Sequence, residues 1–545
     1  MSAPSLLTRF ARAPGMVVIE VTGRGAARSG ALWGAAFAVF MLVQTSTYTS
    51  QYPTPAARAE LVRAYETNLG INALIGPIRD IETVAGWATW RFVGVLAVLG
   101  SLWGLTTATR LLRGEEAAGR HELLVVGRTT PARATAQAIA GLAAGLLAIF
   151  GPCVVALVVL ARSADVGFSV GQCLAFAGVL VAGPAMFAAI GALTSQLFDT
   201  RRRAMALGGT VLSLSYAVRM ISDSRPSLHW VAWLSPLGWV ELVRPLTQPH
   251  PLALVPIALT VFACVAAAVR LAAVRDVGAG LWPGHDFAAP RLASVRGPVS
   301  LAARMVRPVA LGWLFAVLAM SVLIGATAAS STSDSTESGE IAATVHRLGG
   351  NGSPVELYLG LTFLVLALLV AMIAAGQVAA LAAEETDGHA QHLLVGPLHR
   401  LSWLAGRLGL AVALVVVAGF TAGLGAWAGA TSQHSPVALA PLLLAGANVI
   451  PPALFVLGVG VLAFGVRPRA AAAVAYGYLA WSGLIQLTGG LVSINHWLID
   501  TSILSHMVPA PATSPDWPRA ALVTVLAVLL IAAGGAAFSK RDLQG

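Results

Sequence analysis

The sequence predicts an all-α polytopic membrane protein of about twelve transmembrane helices, arranged as two six-helix repeats in parallel orientation. Three observations predict it. Of 545 residues, 57% are hydrophobic and only 11% charged, with a mean hydropathy of +0.78, whereas a soluble protein carries roughly 25% charged residues. Apolar runs long enough to cross about 30 Å of hydrocarbon recur along the chain. Short polar motifs recur too, in the same order and at nearly constant spacing.

The apolar runs place spans near 29–48, 88–110, 135–161, 171–196, 204–222, 252–274, 309–328, 356–382, 403–430, 437–464, 470–488 and 519–538. Basic residues orient them, because Arg and Lys are retained on the cytoplasmic side. With the N-terminus inside, 24 of the 34 Arg and Lys fall on that side, leaving a net charge of +13 inside against −3 outside. The expected location is the cell membrane, multi-pass, with both termini cytoplasmic. Arginines flanking spans also meet anionic headgroups, so membrane lipids are expected partners and nucleic acid is not. "PSLLTRFARAPGMVVIEV" (4–21) reads as an amphipathic segment lying in the interface ahead of the first span.

The duplication is read from matched points. "EEAAGRHELLVVG" (115–127) and "EETDGHAQHLLVG" (384–396) share six of thirteen residues at an offset of 269. "FDTRRRA" from Phe198 matches "FGVRPRA" from Phe464 at an offset of 266, and His229-Trp230 matches His496-Trp497 at 267. "RSGALWGAAFAVFM" from Arg28 resembles "RPVALGWLFAVLAM" from Arg307. Six spans per half keep the two halves in one orientation, with a pseudo-twofold axis along the membrane normal. The expected domains are 1–274 (with 1–28 interfacial), a cytoplasmic linker with a second interfacial segment at 275–307, and 308–545. In each half a Trp- and Pro-rich outer segment follows span five, and its tryptophans suit short helices at headgroup level.

Several chemistries are excluded or disfavoured. The only lysine is Lys540, and "SKRDLQG" offers no GxxxxGK[ST] loop, so this chain has no P-loop for ATP. Cys153, Cys173 and Cys264 all lie in apolar runs and read as small buried hydrophobes. Glu385 and His389, with His392 and His399 nearby, have metal-ligand spacing, but the first copy keeps only His121 and a solvated surface is the better reading. No catalytic or metal-binding residue is expected. Glu115 and Glu116 are adjacent, so on a helix they project about 100° apart and do not converge on one substrate. The repeated acidic, glycine-containing segment suits docking instead. Charged residues end a span, glycine turns the chain, and a short apolar stretch offers a partner something to bury. Two copies related by a twofold would meet two copies of one partner.

"GRHELLVVGRTTPAR" (119–133) resembles the loop between spans two and three in permease subunits of ATP-binding-cassette exporters of the second type, where it forms the coupling helix against the ATPase. With "LGINALIGP" and "RGPVSLAARMVRPVALGWL", the whole layout resembles the fused twelve-span polyketide-antibiotic and multidrug exporter permeases of high-GC Gram-positive bacteria. The resemblance implies two copies of a separate nucleotide-binding ATPase, with ATP and Mg on that partner and no cofactor in this chain. It assigns ATPase coupling to Glu115, Glu116, Gly119, Arg120, Glu122 and Leu123 in the first half, and to Glu384, Glu385, Gly388 and Leu393 in the second. The second copy departs from the pattern at His389 and Gln391, so unequal coupling is expected. "EAAG" is superficially like the loop of importer permeases, but its glycine follows immediately and the "ILP" ending is missing, which favours export. The resemblance also implies a central cavity lined by spans two and five, with Phe92, Trp103, Tyr216, Met220, Phe363, Tyr476, Trp481 and Gln486 as candidates. Arg219 is the main charge within the spans, so the expected cargo is hydrophobic or amphiphilic. The glycine pairs Gly141/Gly145 and Gly425/Gly429 fit close helix packing, but with 56 glycines such pairs also arise by chance.

The alternative is a proton-coupled drug antiporter of the major facilitator kind, also twelve spans in two halves. Such carriers hold a titrating carboxylate within the membrane, whereas Asp199 and Glu356 stand at span ends.

Overall fold

A computed structural model describes residues 14–66, 76, 78–117, 119, 129–163, 166–224, 226–276, 278–282, 297–331, 354–386, 388–395, 399–433, 435, 437–489 and 496–542. They are helical with short connections, and the chain divides into two compact units, Met1–Phe287 and Ala288–Gly545. Each of the twelve expected spans falls on helix. Eleven helices among the described residues are long and apolar enough to cross a membrane, and Pro468–Gly489 occupies the twelfth position. The all-α polytopic fold follows directly.

In the first unit, α1 (Pro14–Gln51) is one helix of 38 residues. The segment from Pro14 to Arg28, expected to lie in the interface, instead continues into the first span without a break. A short α2 (Pro55–Glu66) precedes α3, which runs Val84–Ala117 with a π-helical turn at Arg110–Gly114. Thr83 caps α3, its hydroxyl accepting from the Gly86 N–H. Then come α4 (Pro131–Ala161), α5 (Val170–Leu197) and α6 (Arg201–Ser224). Outside the spans lie a 3₁₀ helix at Pro226–Leu234 and α7 (Pro236–Leu242), and α8 (Leu254–Val274) is the sixth span.

The second unit repeats this order: α9 (Pro298–Ser331), α10 (Pro354–Thr386), a short α11 (His389–Leu394) and α12 (Arg400–Ser432). Its fourth span is broken into α13 (Leu439–Asn448) and α14 (Ile450–Val466). Pro451 and Pro452 lack the N–H groups that would continue the ladder back to the preceding turn. The Asn448 side chain uses the break, donating to the Val508 carbonyl at 3.0 Å. After α15 (Pro468–Gly489), the short α16 (His496–Ile499) and a 3₁₀ turn at Ile503–His506 match the outer segment of the first unit, and α17 (Trp517–Lys540) closes the chain.

The units are alike down to single hydrogen bonds. The Ser235 hydroxyl donates to the Ser215 carbonyl at 2.6 Å, and Ser502 to Ser482 at 3.1 Å, both pairs related by an offset of 267. In each unit the first and third spans pack lengthwise through small residues. A Cβ on Gly145 would lie 2.9 Å from the Ala26 carbonyl oxygen, and one on Gly429 would lie 2.0 Å from that of Val322. Both GxxxG pairs are therefore packing seams between the first and third spans, one in the first half of α4 and the other near the end of α12, a signal that composition had hidden. The second and fourth spans form the main apolar core of each unit, with Phe92, Phe176 and Phe187 in the first and Phe363, Val378 and Phe464 in the second. Cys153 and Cys173 are buried and Cys264 half-buried, all as free thiols.

Candidate functional site

The two copies of the acidic segment adopt the same local structure. Gly119 (φ +71°) and Gly388 (φ +78°) both sit in the left-handed region, where a side chain is strained and glycine is not. Each donates its N–H to the carbonyl three residues back, Gly119 to Glu116 and Gly388 to Glu385, both at 3.0 Å. The glycine therefore ends the span in both halves and sends the chain into the connecting loop.

The carboxylates divide by role. Glu116 and Glu385 are buried, the Glu385 side chain fully so. In the first unit Arg275, just past the end of α8, grips Glu116 with both terminal nitrogens at 2.7 Å. Its Nε donates to Gln196 Oε1 at 2.6 Å, near the end of α5. In the second unit Arg541, just past α17, grips Glu385 at 2.5 and 2.6 Å, and its Nε donates to the Gly465 carbonyl at 2.9 Å near the end of α14. One arginine thus ties together the ends of spans two, four and six in each half. We call this arrangement the clamp.

The two clamps differ in their surroundings. In the first, the π-helical turn brings Arg113 alongside Glu116 at 2.8 Å, and Arg113 also donates to the carbonyls of Asp199 and Gly278 at 2.8 Å. The Gly278 N–H adds a bond to Glu116 at 2.7 Å, so the turn after α8 folds back onto the clamp. In the second, Arg541 lies 5.3 and 5.1 Å from the Phe464 and Phe538 ring centroids, a cation–π setting. Removing one partner of such a buried bidentate pair strands the other charge, which costs about 3–5 kcal/mol.

The remaining coupling candidates are placed as follows. Glu115 and Glu384 are half-buried, and Glu384 pairs with Arg407 at 2.7 Å. Gly119 is exposed. Arg120, Glu122 and Leu123 lie outside the described residues. Leu393 falls on α11, the short helix that follows Gly388, and at its end Val395 is 88% exposed. The carboxylate of Glu385, which has metal-ligand spacing to His389, is paired with Arg541. Of the cavity candidates, Phe92, Trp103 and Phe363 are buried in the cores of their own units, the Trp103 indole donating to Ser29 at 2.8 Å. Tyr216, Met220 and Gln486 are half-buried, and Tyr476 and Trp481 are each 40% exposed.

Sequence reasoning missed the arginines that close the clamps. A signal was present: Arg275-Asp276 and Arg541-Asp542 form a repeated dipeptide at an offset of 266. It missed Asp223 as well. At the end of α6 this residue joins Glu241 in pairing with the buried Arg219, at 3.1 and 2.9 Å.

Two helical units of the same plan, each closed by the same clamp at its acidic segment, define an internally duplicated polytopic membrane protein. Residues 295–539 match the family model described as multidrug efflux system permease Rv1217c, C-terminal domain. The chain is 30% identical over 517 residues to the multidrug efflux system permease protein Rv1217c of Mycobacterium tuberculosis (strain ATCC 25618 / H37Rv), covering 92% of this chain and 90% of that relative. The chain belongs to this family of efflux permeases.

Proposed function

We propose that the chain is the membrane-spanning subunit of an ATP-binding-cassette exporter that moves hydrophobic or amphiphilic drugs out of the cell. Two copies of a separate ATPase, holding ATP and Mg, grip the loops between spans two and three of each half, on the cytoplasmic side. ATP-driven closure of the ATPase pushes on these loops, and the permease switches between inward- and outward-facing states. The clamp is the observation that supports this most. Beside each loop, three span ends are joined by buried charge-assisted hydrogen bonds, so a push on the loop moves three helices together instead of unwinding one. A ligand that binds one state better is what drives such a two-state element.

The test is co-expression with the ATPase and measurement of transport-linked hydrolysis in vesicles. Val395→Glu replaces an exposed apolar side chain at the second loop. Burying a valine is worth about 1.5–3 kcal/mol, so stimulation of the ATPase by the permease should fall about tenfold with the melting temperature unchanged. Unchanged stimulation, or failure of the ATPase to co-purify with the wild type, would sink the reading.

One observation favours a second reading. Arg219 faces two carboxylates, Asp223 and Glu241, and a proton-coupled antiporter relies on carboxylates embedded in its fold. Transport that follows a pH gradient without any ATPase, and is lost in Asp223→Asn, would select it.

A further inference from the structure

The first unit holds a cavity of about 270 Å³ beside the 3₁₀ helix at Pro226–Leu234, lined by Arg79, His229, Trp233, Glu241, Arg244 and His250 among others. With the buried Arg219, which is bonded to two of its lining residues, the cations around it outnumber the anions. Arg219 is taken up by Asp223 and Glu241. The Arg244 guanidinium has neither a hydrogen bond nor an ion pair among the described residues. Arg79 donates to His229 Nδ1 at 3.3 Å and has no ion pair among them either. The two lining arginines, together with the buried Arg219 bonded to the two lining carboxylates, leave one positive charge uncompensated. Burial, then the nearby Arg79, holds the pKa of Arg244 below its ordinary value, and the same two causes act on His229 in the same direction. Glu241 acts on both in the opposite direction without offsetting these causes.

The second unit does not repeat four of these charges. At the offset of 267 that relates the two serine pairs, Arg219 becomes Gln486, Asp223 becomes Gly490, Glu241 becomes Val508 and Arg244 becomes Pro511. These four charges are therefore not a requirement of the plan the two units share.

We propose that this cavity binds a phosphate group, with Arg79 and Arg244 as its ligands. Guanidinium forks match phosphate oxygens in pairs, and a singly charged phosphodiester would neutralise the cavity. Its size falls below the roughly 300–1,000 Å³ of pockets that enclose drug-sized molecules, so it suits a headgroup rather than a cargo. Trp230 and Trp233 beside it are 63% and 43% exposed, as befits side chains at headgroup level. The source is either an anionic lipid of the outer leaflet or free phosphate. The lipid source rests on the orientation adopted under Proposed function.

The experiment uses the purified full chain and native mass spectrometry, with short-chain phosphatidylglycerol, short-chain phosphatidylcholine and inorganic phosphate as separate probes. Phosphatidylglycerol binding that weakens at least tenfold in Arg79→Gln/Arg244→Gln, and recovers in Arg79→Lys/Arg244→Lys, supports the site with a lipid source. Binding of inorganic phosphate with the same dependence, and no lipid preference, supports it with a free source. Equal binding of every probe by wild type and the glutamine variant overturns it, provided the variant elutes as a single species. Orientation is read separately by labelling Ser227→Cys in intact cells with an impermeant thiol reagent. Labelling only after permeabilisation overturns the outer-leaflet source and the orientation, and leaves the binding results in detergent standing on their own.

Discussion

At the residue scale, the charged positions of the repeated acidic segment act in different ways. Glu116 and Glu385 face inward to arginines from the sixth span, while Gly119 and Gly388 set the turn. Arg541→Ala would strand the buried Glu385 carboxylate, at a cost of about 3–5 kcal/mol. A thermal melt should show it as a clear fall in midpoint. Arg541→Lys should recover only part of the loss, because one ammonium cannot reproduce the paired guanidinium bonds. If alanine at 541 left the melt untouched, the clamp would have no structural weight. Gly388→Ala places a Cβ in the left-handed region, where a non-glycine residue costs about 1–2 kcal/mol. Nothing crowds that position, so any measured loss reports the backbone alone. Sequence reading located both glutamates and both glycines but gave the glutamates a surface role. It could not do otherwise, since their partners lie 159 and 156 residues away, and only a repeated Arg-Asp dipeptide marked them.

At the element scale, spans were easy to read because hydrophobic length is a strong local signal. What periodicity could not supply was which helix touches which. The first–third seam depends on Gly425 and Gly429, where the α9 and α12 backbones approach too closely for side chains. Gly429→Leu should therefore force the helices apart and lower the yield of folded protein severalfold. Gly409→Leu, on the same α12 but with open space around it, should be tolerated; size-exclusion profiles of the two variants would decide. Equal profiles would show that the seam is not needed. The break between α13 and α14 was legible in principle from Pro451-Pro452, yet the continuous apolar run masked it. The N-terminal segment expected in the interface is continuous with the first span: no stop signal separates them, and a single helix of 38 residues covers both from Pro14 on.

At the scale of the whole molecule, duplication was legible from four matched motifs, and the structure adds the serine hydrogen bonds and the clamps as matched points of its own. The halves are nonetheless unequal. The first clamp is reinforced by Arg113 and the returning turn at Gly278, the second by two aromatic rings, and four charges at the cavity beside Pro226–Leu234 are not repeated at the matching positions of the second unit. Weakening each clamp separately should then have different consequences. Arg275→Ala leaves Glu116 with Arg113 and the Gly278 N–H, so its loss of stability should be smaller than that of Arg541→Ala, which also removes the guanidinium packed on Phe464 and Phe538. Parallel melts of the two variants test this, and an equal or larger loss for Arg275→Ala would argue against it.

Arg541 directly follows Lys540, where α17 ends. A proteolytic cut between the two would leave the helix whole and untie one of the molecule's two knots. A linker or purification handle introduced at that junction is therefore no bystander.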